Sequence, residues 1–264
     1  MPCGPAGTRT SSTTSSWLFP PRTTKVQLDE KWSFVGKKEK HCDPDDEGDL
    51  FRGDQWDHVA LDADARLVLS VVVGRRIPEN VELLLEDLRD RLGGRAPELV
   101  TSDEYAPYQD LLASVFGREE VPPRTGKPGR PAGPRVVPPA GMTYATVHKT
   151  RQAGRVVQVE TREVFGALGA GAPASTSYLE RQHGTDRHRN ARKGRRTYRF
   201  SKSWDVHAAM TCFTLYAYNF CWPVRTLRQR GDGGWRQRTP AMAAGLADHV
   251  WTLEEWLTLP AVQR

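Results

Sequence analysis

The chain has 264 residues, 38% of them hydrophobic, which is enough for one sizeable core. Lys and Arg number 38 against 32 Asp and Glu, a net charge of +6 that is too mild to name a partner by itself. No stretch stays apolar for the roughly 18 residues that a membrane span needs, and the Ser/Thr/Pro-rich start lacks the apolar core of a secretory signal.

Residues 1–24 read as a disordered lead-in. Lys25 to Lys37 then alternates, with Val26, Leu28, Trp32 and Phe34 on one face and Gln27, Asp29, Lys31 and Ser33 on the other, which predicts a strand. His41 to Asp54 is an acidic loop. Trp56 to Leu61 and Leu67 to Val73 read as two strands joined by a turn at 62–66, hence a hairpin. From Pro78 to Leu92, Val81, Leu84, Leu85 and Leu88 recur at helical spacing, and Gly93-Gly94 stops the helix. Leu99 to Thr101 is a short buried strand, and Pro107 suits the first turn of a helix reaching Phe116.

Residues 121–141 hold seven prolines and four glycines and predict a loop. Thr143 to Val147 and Val156 to Thr161 follow as strands, 167–173 as a small-residue loop, and Ser177 as the start of a helix. Trp204 to Phe220 is a long helix with Val206, Met210, Phe213, Ala217 and Phe220 on its apolar side. Residues 221–264 form a tail with a short helix near 252–259. Cys3, Cys42, Cys212 and Cys221 have no zinc-knuckle spacing and read as reduced thiols of a cytosolic protein.

Three acids stand at informative places. Asp29 lies inside the first strand on its polar side, Asp103 directly follows the 99–101 strand, and Glu180 falls in the first turn of the helix beginning at Ser177. Where the first and fourth strands are neighbours, the two aspartates sit side by side, and a helix across the sheet can bring Glu180 to them. Converging carboxylates repel unless a cation sits between them. Their hard oxygens suit Mg²⁺ or Mn²⁺, and two such ions can drive phosphodiester chemistry. Each acid also has a structural reading: Asp29 as a solvated edge charge, Asp103 as a helix cap, and Glu180 as the far end of a capping box from Ser177.

The residues around the acids carry a resemblance. Val26-Gln27-Leu28-Asp29-Glu30-Lys31-Trp32-Ser33-Phe34-Val35-Gly36-Lys37-Lys38 resembles the first catalytic motif of the insertion-sequence-one family of transposases. The segment Val100 to Tyr108 resembles the second motif, Tyr178-Leu179-Glu180-Arg181 the third, and Arg199-Phe200-Ser201-Lys202-Ser203 with the helix to Phe220 the C-terminal motif. The resemblance runs from about Lys25 to Phe220 and is patchy between Val121 and Ser175. It implies an α/β chain with an RNase H-like mixed sheet flanked by helices, its catalytic domain spanning 25–220. It further implies metal-binding catalytic acids Asp29, Asp103 and Glu180, Mg²⁺ or Mn²⁺ as cofactor, and DNA cleavage and strand transfer at the ends of a mobile element and its target. The expected protein is cytoplasmic and nucleoid-associated, has no membrane partner, and works as a homo-oligomer. The family's recognition region before the catalytic domain has no counterpart here, so a separate recognition chain is one expectation. The family's Asn-rich stretch after the third motif is replaced by Gln182-His183-Gly184-Thr185.

From Arg181 to Lys202 there are nine Lys or Arg residues and one acid, Asp186. Arg187, Arg189, Arg192, Lys193, Arg195, Arg196, Arg199 and Lys202 are the expected DNA-backbone contacts. Tyr198 and Trp204 are candidates for base stacking or for packing, and His207 for a structural role. The competing functions are a truncated, inactive remnant that binds DNA without chemistry, and a cellular nuclease of the same fold cutting RNA in hybrids.

Overall fold

The computed structural model of the protein describes residues 22–122, 133–169, 174–231 and 233–258. Its centre is a six-stranded mixed sheet, compatible with an RNase H-like fold. Strand β1 (Lys25–Val35) pairs antiparallel with β2 (Gly53–Asp62), which pairs antiparallel with the edge strand β3 (Val68–Gly74). On its other side β1 pairs parallel with β4 (Leu99–Ser102), β4 parallel with β7 (Thr143–Gln152), and β7 antiparallel with the second edge strand, β8 (Arg155–Phe165). A small hairpin of β5 (Arg118–Glu120) and β6 (Arg135–Val137) interrupts the expected loop at 121–141, of which residues 123–132 lie outside the described part.

Helices cover both faces, α1 (Pro78–Arg91) and α2 (Pro107–Phe116) the apolar side of β1 and α3 (Ser177–Arg189) its polar side. Strand β3 is buried along its whole length, as a strand covered twice must be. Helix α1 buries Val81, Leu84, Leu85 and Leu88 and starts at the expected Pro78. Helix α2 buries Tyr108 and Leu112. Helix α3 lies along the opposite face of β1, where the Leu179 amide donates to the Gln27 side chain at 2.9 Å.

Helix α4 (Trp204–Cys221) covers the β3 edge. The Asn219 side chain accepts from the Val68 amide and donates to the Val68 carbonyl, both at 2.8 Å, standing in for a missing strand neighbour. This changes the predicted face of the helix: Val206 is exposed and Met210 and Phe213 half-buried, while His207, Ala208, Thr211, Cys212 and Leu215 point inward. The tail folds back on α4. Phe220 packs on Trp251 and Trp256 at 4.5 and 5.3 Å, the latter from α6 (Leu253–Thr258), and α5 (Pro240–Ala243) adds Ala241 to the core.

Other expectations shift in detail. The lead-in lies outside the described residues up to 21, but Thr23 is buried and its hydroxyl donates to Asp62 at 2.6 Å. On β1, Lys31 and Ser33 of the polar set are buried while Trp32 and Phe34 are half-buried, because α3 and the loop after it roof the polar face. Cys42 and Cys221 are free thiols, whereas Cys212 is disulfide-bonded against the expectation of a reduced thiol. Among the described residues no helix is long and apolar enough to cross a membrane.

Candidate active site

The parallel pairing of β1 and β4 ends at Gln27 opposite Thr101. Beyond that point the strands part, and the gap between them collects acids. Oxygens of Asp29, Glu30 and Asp103 lie within 4.8 Å of one another. This is the carboxyl end of the parallel strands, where α/β sheets commonly place their ligands. Asp103 accepts from the Tyr105 amide at 3.2 Å in the turn before α2, but the N-cap of that helix is Ala106 and carries no side-chain cap, so the expected capping role of Asp103 is not met. Burial first, and the Asp29 charge second, push the Asp103 carboxyl above the usual aspartate range.

Glu30 was not anticipated. It belongs to the apolar set of β1 and faces the α1/α2 side, and both of its oxygens are taken. The Tyr108 hydroxyl donates to one, and Arg76 donates twice to the other, at 2.9 and 3.2 Å. Burial, with the Asp103 charge adding to it, raises this carboxyl to about 7, and the Tyr108 and Arg76 hydrogen bonds pull it partly back. Arg76 also lies 3.7 Å from Asp103 and stacks over the Tyr105 and Trp56 rings at 4.0 and 5.0 Å. A charged residue in an apolar register was the signal in the sequence.

The third expected acid stands apart from this cluster. Glu180 accepts from Lys149 of β7 and from the Thr176 hydroxyl at 2.8 Å, and does not reach back to Ser177 as a capping box would. Three residues further along α3 it is His183 that faces Asp29, with its Nδ1 at 3.3 Å from the carboxylate. Because residues three apart share a helix face, Glu180 lies about one turn from the acid pair. Each expected acid therefore has its own basic neighbour: His183 for Asp29, Arg76 for Asp103, Lys149 for Glu180.

Under the roof of α3 runs a buried charge network. Lys31 lies opposite Asp57 in the β1–β2 register and bonds to it at 3.2 Å and also to Asp186 of α3. Lys193, from the turn 191–193, reaches Asp57 at 2.5 Å and His207 at 3.1 Å. Thr214 donates to Asp186 at 2.8 Å and Ser201 meets His207 at 2.7 Å. His207 thus has the expected structural place.

The network corrects the expected DNA surface. Lys193 is fully buried and committed to Asp57, so it is not available to a phosphate. Arg187 is half-buried and donates to the Trp32 and Lys193 carbonyls at 3.3 and 3.2 Å, tying α3 to β1 and to the turn beyond it. Arg192 is half-buried. Arg189, Arg195, Arg196, Arg199 and Lys202 are exposed, Arg189 stacked on Trp222 at 3.3 Å and Lys202 over Phe200. Tyr198 is almost fully exposed, whereas Trp204 stacks on His207. The basic loop does not adjoin the acids. It docks at the far end of β1, where the Gly36 amide donates to Ser201 at 2.7 Å. Six residues of extended strand, roughly 20 Å, separate Asp29 from that end.

No protein-family model matches the sequence, and no curated protein matches it.

Proposed function

We propose that the chain is the catalytic part of a DNA transposase, cleaving and joining phosphodiester bonds with the help of a divalent cation. The observation that carries this reading is the meeting of Asp29 and Asp103 on neighbouring parallel strands, at the parting of β1 and β4. The donor set suits Mg²⁺ or Mn²⁺: it is all carboxylate oxygen, and Asp103, raised first by burial and then by the Asp29 charge, carries a repulsion that a cation relieves. Asp29 and Asp103 would hold the ion, with Glu180 completing the set. When bound, such an ion supplies Lewis-acid activation of water or a 3′-hydroxyl and stabilises the leaving oxygen.

The remaining roles belong to the chain itself. Glu30 is a support, since Tyr108 and Arg76 fill its oxygens. His183 orients the Asp29 carboxylate. Lys149 and Thr176 hold Glu180 beside the site. Arg195, Arg196 and Arg199 offer exposed guanidinium groups to DNA phosphates, in a manner blind to sequence. In this reading the protein is cytoplasmic and nucleoid-associated and works as at least a dimer.

One observation favours a second reading, a remnant that binds DNA without chemistry: Glu180 is engaged by Lys149 rather than by the acid pair. The deciding assay incubates the purified chain with Mg²⁺ or Mn²⁺, a labelled duplex and a precut 3′-hydroxyl end, alongside Asp103→Ala. Metal-dependent nicking or joining that disappears in the variant is expected. DNA binding without cutting, unchanged by the substitution, would leave the remnant.

A further inference from the structure

We infer that the β7–β8 hairpin is a DNA-binding ribbon whose basic tip enters a duplex groove beside the active site; the inference rests on the reading of DNA as substrate. Strand β7 pairs with β4 only from Thr143 to Thr146. Among the described residues β8 alone pairs with it from Val147 to Gln152. Val147 is buried and His148 to Thr150 are half-buried, whereas Arg151 to Val159 are exposed without a break. The hairpin therefore runs about 20 Å beyond its pairing with β4, and its outer part stands free as a two-stranded ribbon. It turns in two residues, Ala153 and Gly154, both with positive φ, which is the tight turn whose twist matches a ribbon.

Three observations set its partner. First, β7 is parallel to β1 and β4, so the ribbon leaves the sheet at the edge that gathers Asp29 and Asp103. Second, its base is fastened to residues flanking the acids. His148 and Arg162 both reach Glu104, at 2.7 Å each, and Lys149 reaches Glu180. Any body held by the tip is thereby held in a fixed position relative to the cut. Third, the tip is cationic. Residues 150–155 contain Arg151 and Arg155 and no acid, and neither arginine makes an ion pair among the described residues.

A two-stranded ribbon fits the major groove, about 12 Å wide, and Arg and Gln are side chains that can bond both phosphates and base edges there. Pairing of a partner protein strand along β8 is disfavoured by the ladder itself. Its register breaks at Tyr144/Ala145 and at Thr150/Arg151, and such bulges, with the charged Glu160, Arg162 and Glu163 along the strand, blunt an edge against further pairing.

The test measures binding of a short labelled duplex by the full chain carrying Asp103→Ala, so that cutting does not interfere. Adding Arg151→Glu and Arg155→Glu is expected to weaken binding about tenfold or more and to lower the slope of log affinity against log salt by about two. Arg151→Lys with Arg155→Lys is expected to keep most of the affinity. A thiol at the tip, Gln152→Cys, is expected to cross-link to a duplex bearing a tethered disulfide, independently of any effect of the charge reversals on folding. Unchanged affinity and slope in a folded variant, or no cross-link at the tip above that of the parent chain with Cys42 and Cys221, would overturn the inference. So would a charge reversal that alters only the sedimenting mass of the protein. If the parent cuts DNA yet the tip variants bind as it does, the ribbon fails and the transposase reading stands. If the tip variants lose binding while the parent never cuts, the reverse holds.

Discussion

Lys149 of β7 donates its ammonium to the Glu180 carboxylate at the start of α3, and the Thr176 hydroxyl donates to the same oxygen. A cation bound at the acids has to compete with that ammonium for Glu180. Lys149→Met is therefore expected to lower the Mg²⁺ concentration for half-maximal nicking about twofold to fivefold, the equivalent of the 1 kcal/mol or less of a partly exposed ion pair. Glu180→Gln is expected to abolish nicking at any Mg²⁺ concentration. A metal titration of the two variants checks both outcomes, and an unmoved midpoint in Lys149→Met would rule the competition out.

Asp57 is shared by two buried lysines, Lys31 and Lys193. Burial pushes its carboxyl up, but the two ammonium groups together hold it far below the usual aspartate range. Asp57→Ala strands the Lys193 charge in the interior and leaves Lys31 with Asp186 alone, and is expected to cost about 3–5 kcal/mol. Urea unfolding measures this directly; a loss below 1 kcal/mol would mean that water reaches the network.

The same network makes stability depend on pH. Burial, and after it the Lys193 charge, push the His207 imidazole down to about 3. The unfolded chain therefore binds a proton between about pH 6.5 and 3 that the folded chain refuses, and stability falls as the pH drops through that window. Between pH 6.5 and 5 the loss from this group is about 2 kcal/mol. In His207→Gln that part of the slope is expected to vanish, whatever the variant's stability at neutral pH. Parallel slopes for the two proteins would refute the assignment.

Arg187 and the exposed arginines divide in a way that one pair of measurements separates. Arg187→Met removes two hydrogen bonds to carbonyls and is expected to destabilise by about 1–2 kcal/mol. Arg195→Ala with Arg199→Ala is expected to leave the melting temperature alone and to reduce the salt dependence of duplex binding. Finding the DNA effect in Arg187→Met without a stability loss would return that residue to the DNA surface.

Much of the scaffold was legible because local chemistry agreed with it. Pro78 and Pro107 mark the first turns of α1 and α2, and the turn at 62–66 joins the hairpin strands as the alternation requires. The Asp29–Asp103 pair was legible from the motif resemblance around the two acids, given a first and fourth strand that are neighbours. What hydropathy hides are polar groups that meet only in three dimensions. Lys31, Asp57, Asp186 and Lys193 come from four separate segments and are buried because they neutralise one another, so Lys193 reads as one more surface charge in a basic run. On α4, Ala217 and Phe220 face inward as predicted, but Val206, Met210 and Phe213 do not, because His207 and its neighbours are needed inside at that end. Strands β7 and β8 run further than predicted because a ribbon exposed on both faces has no apolar alternation to display.

The length of β1 has a metrical consequence. Asp29 and the Ser201 anchor of the basic loop are fixed to one continuous strand, paired with β2 from Val26 to Val35. Their spacing is set by peptide geometry rather than by a hinge. Roughly 20 Å is about six base-pair steps of duplex. Under the proposed function, on DNA lying along that strand, β1 would be a ruler, with the grip about half a helical turn from the cut.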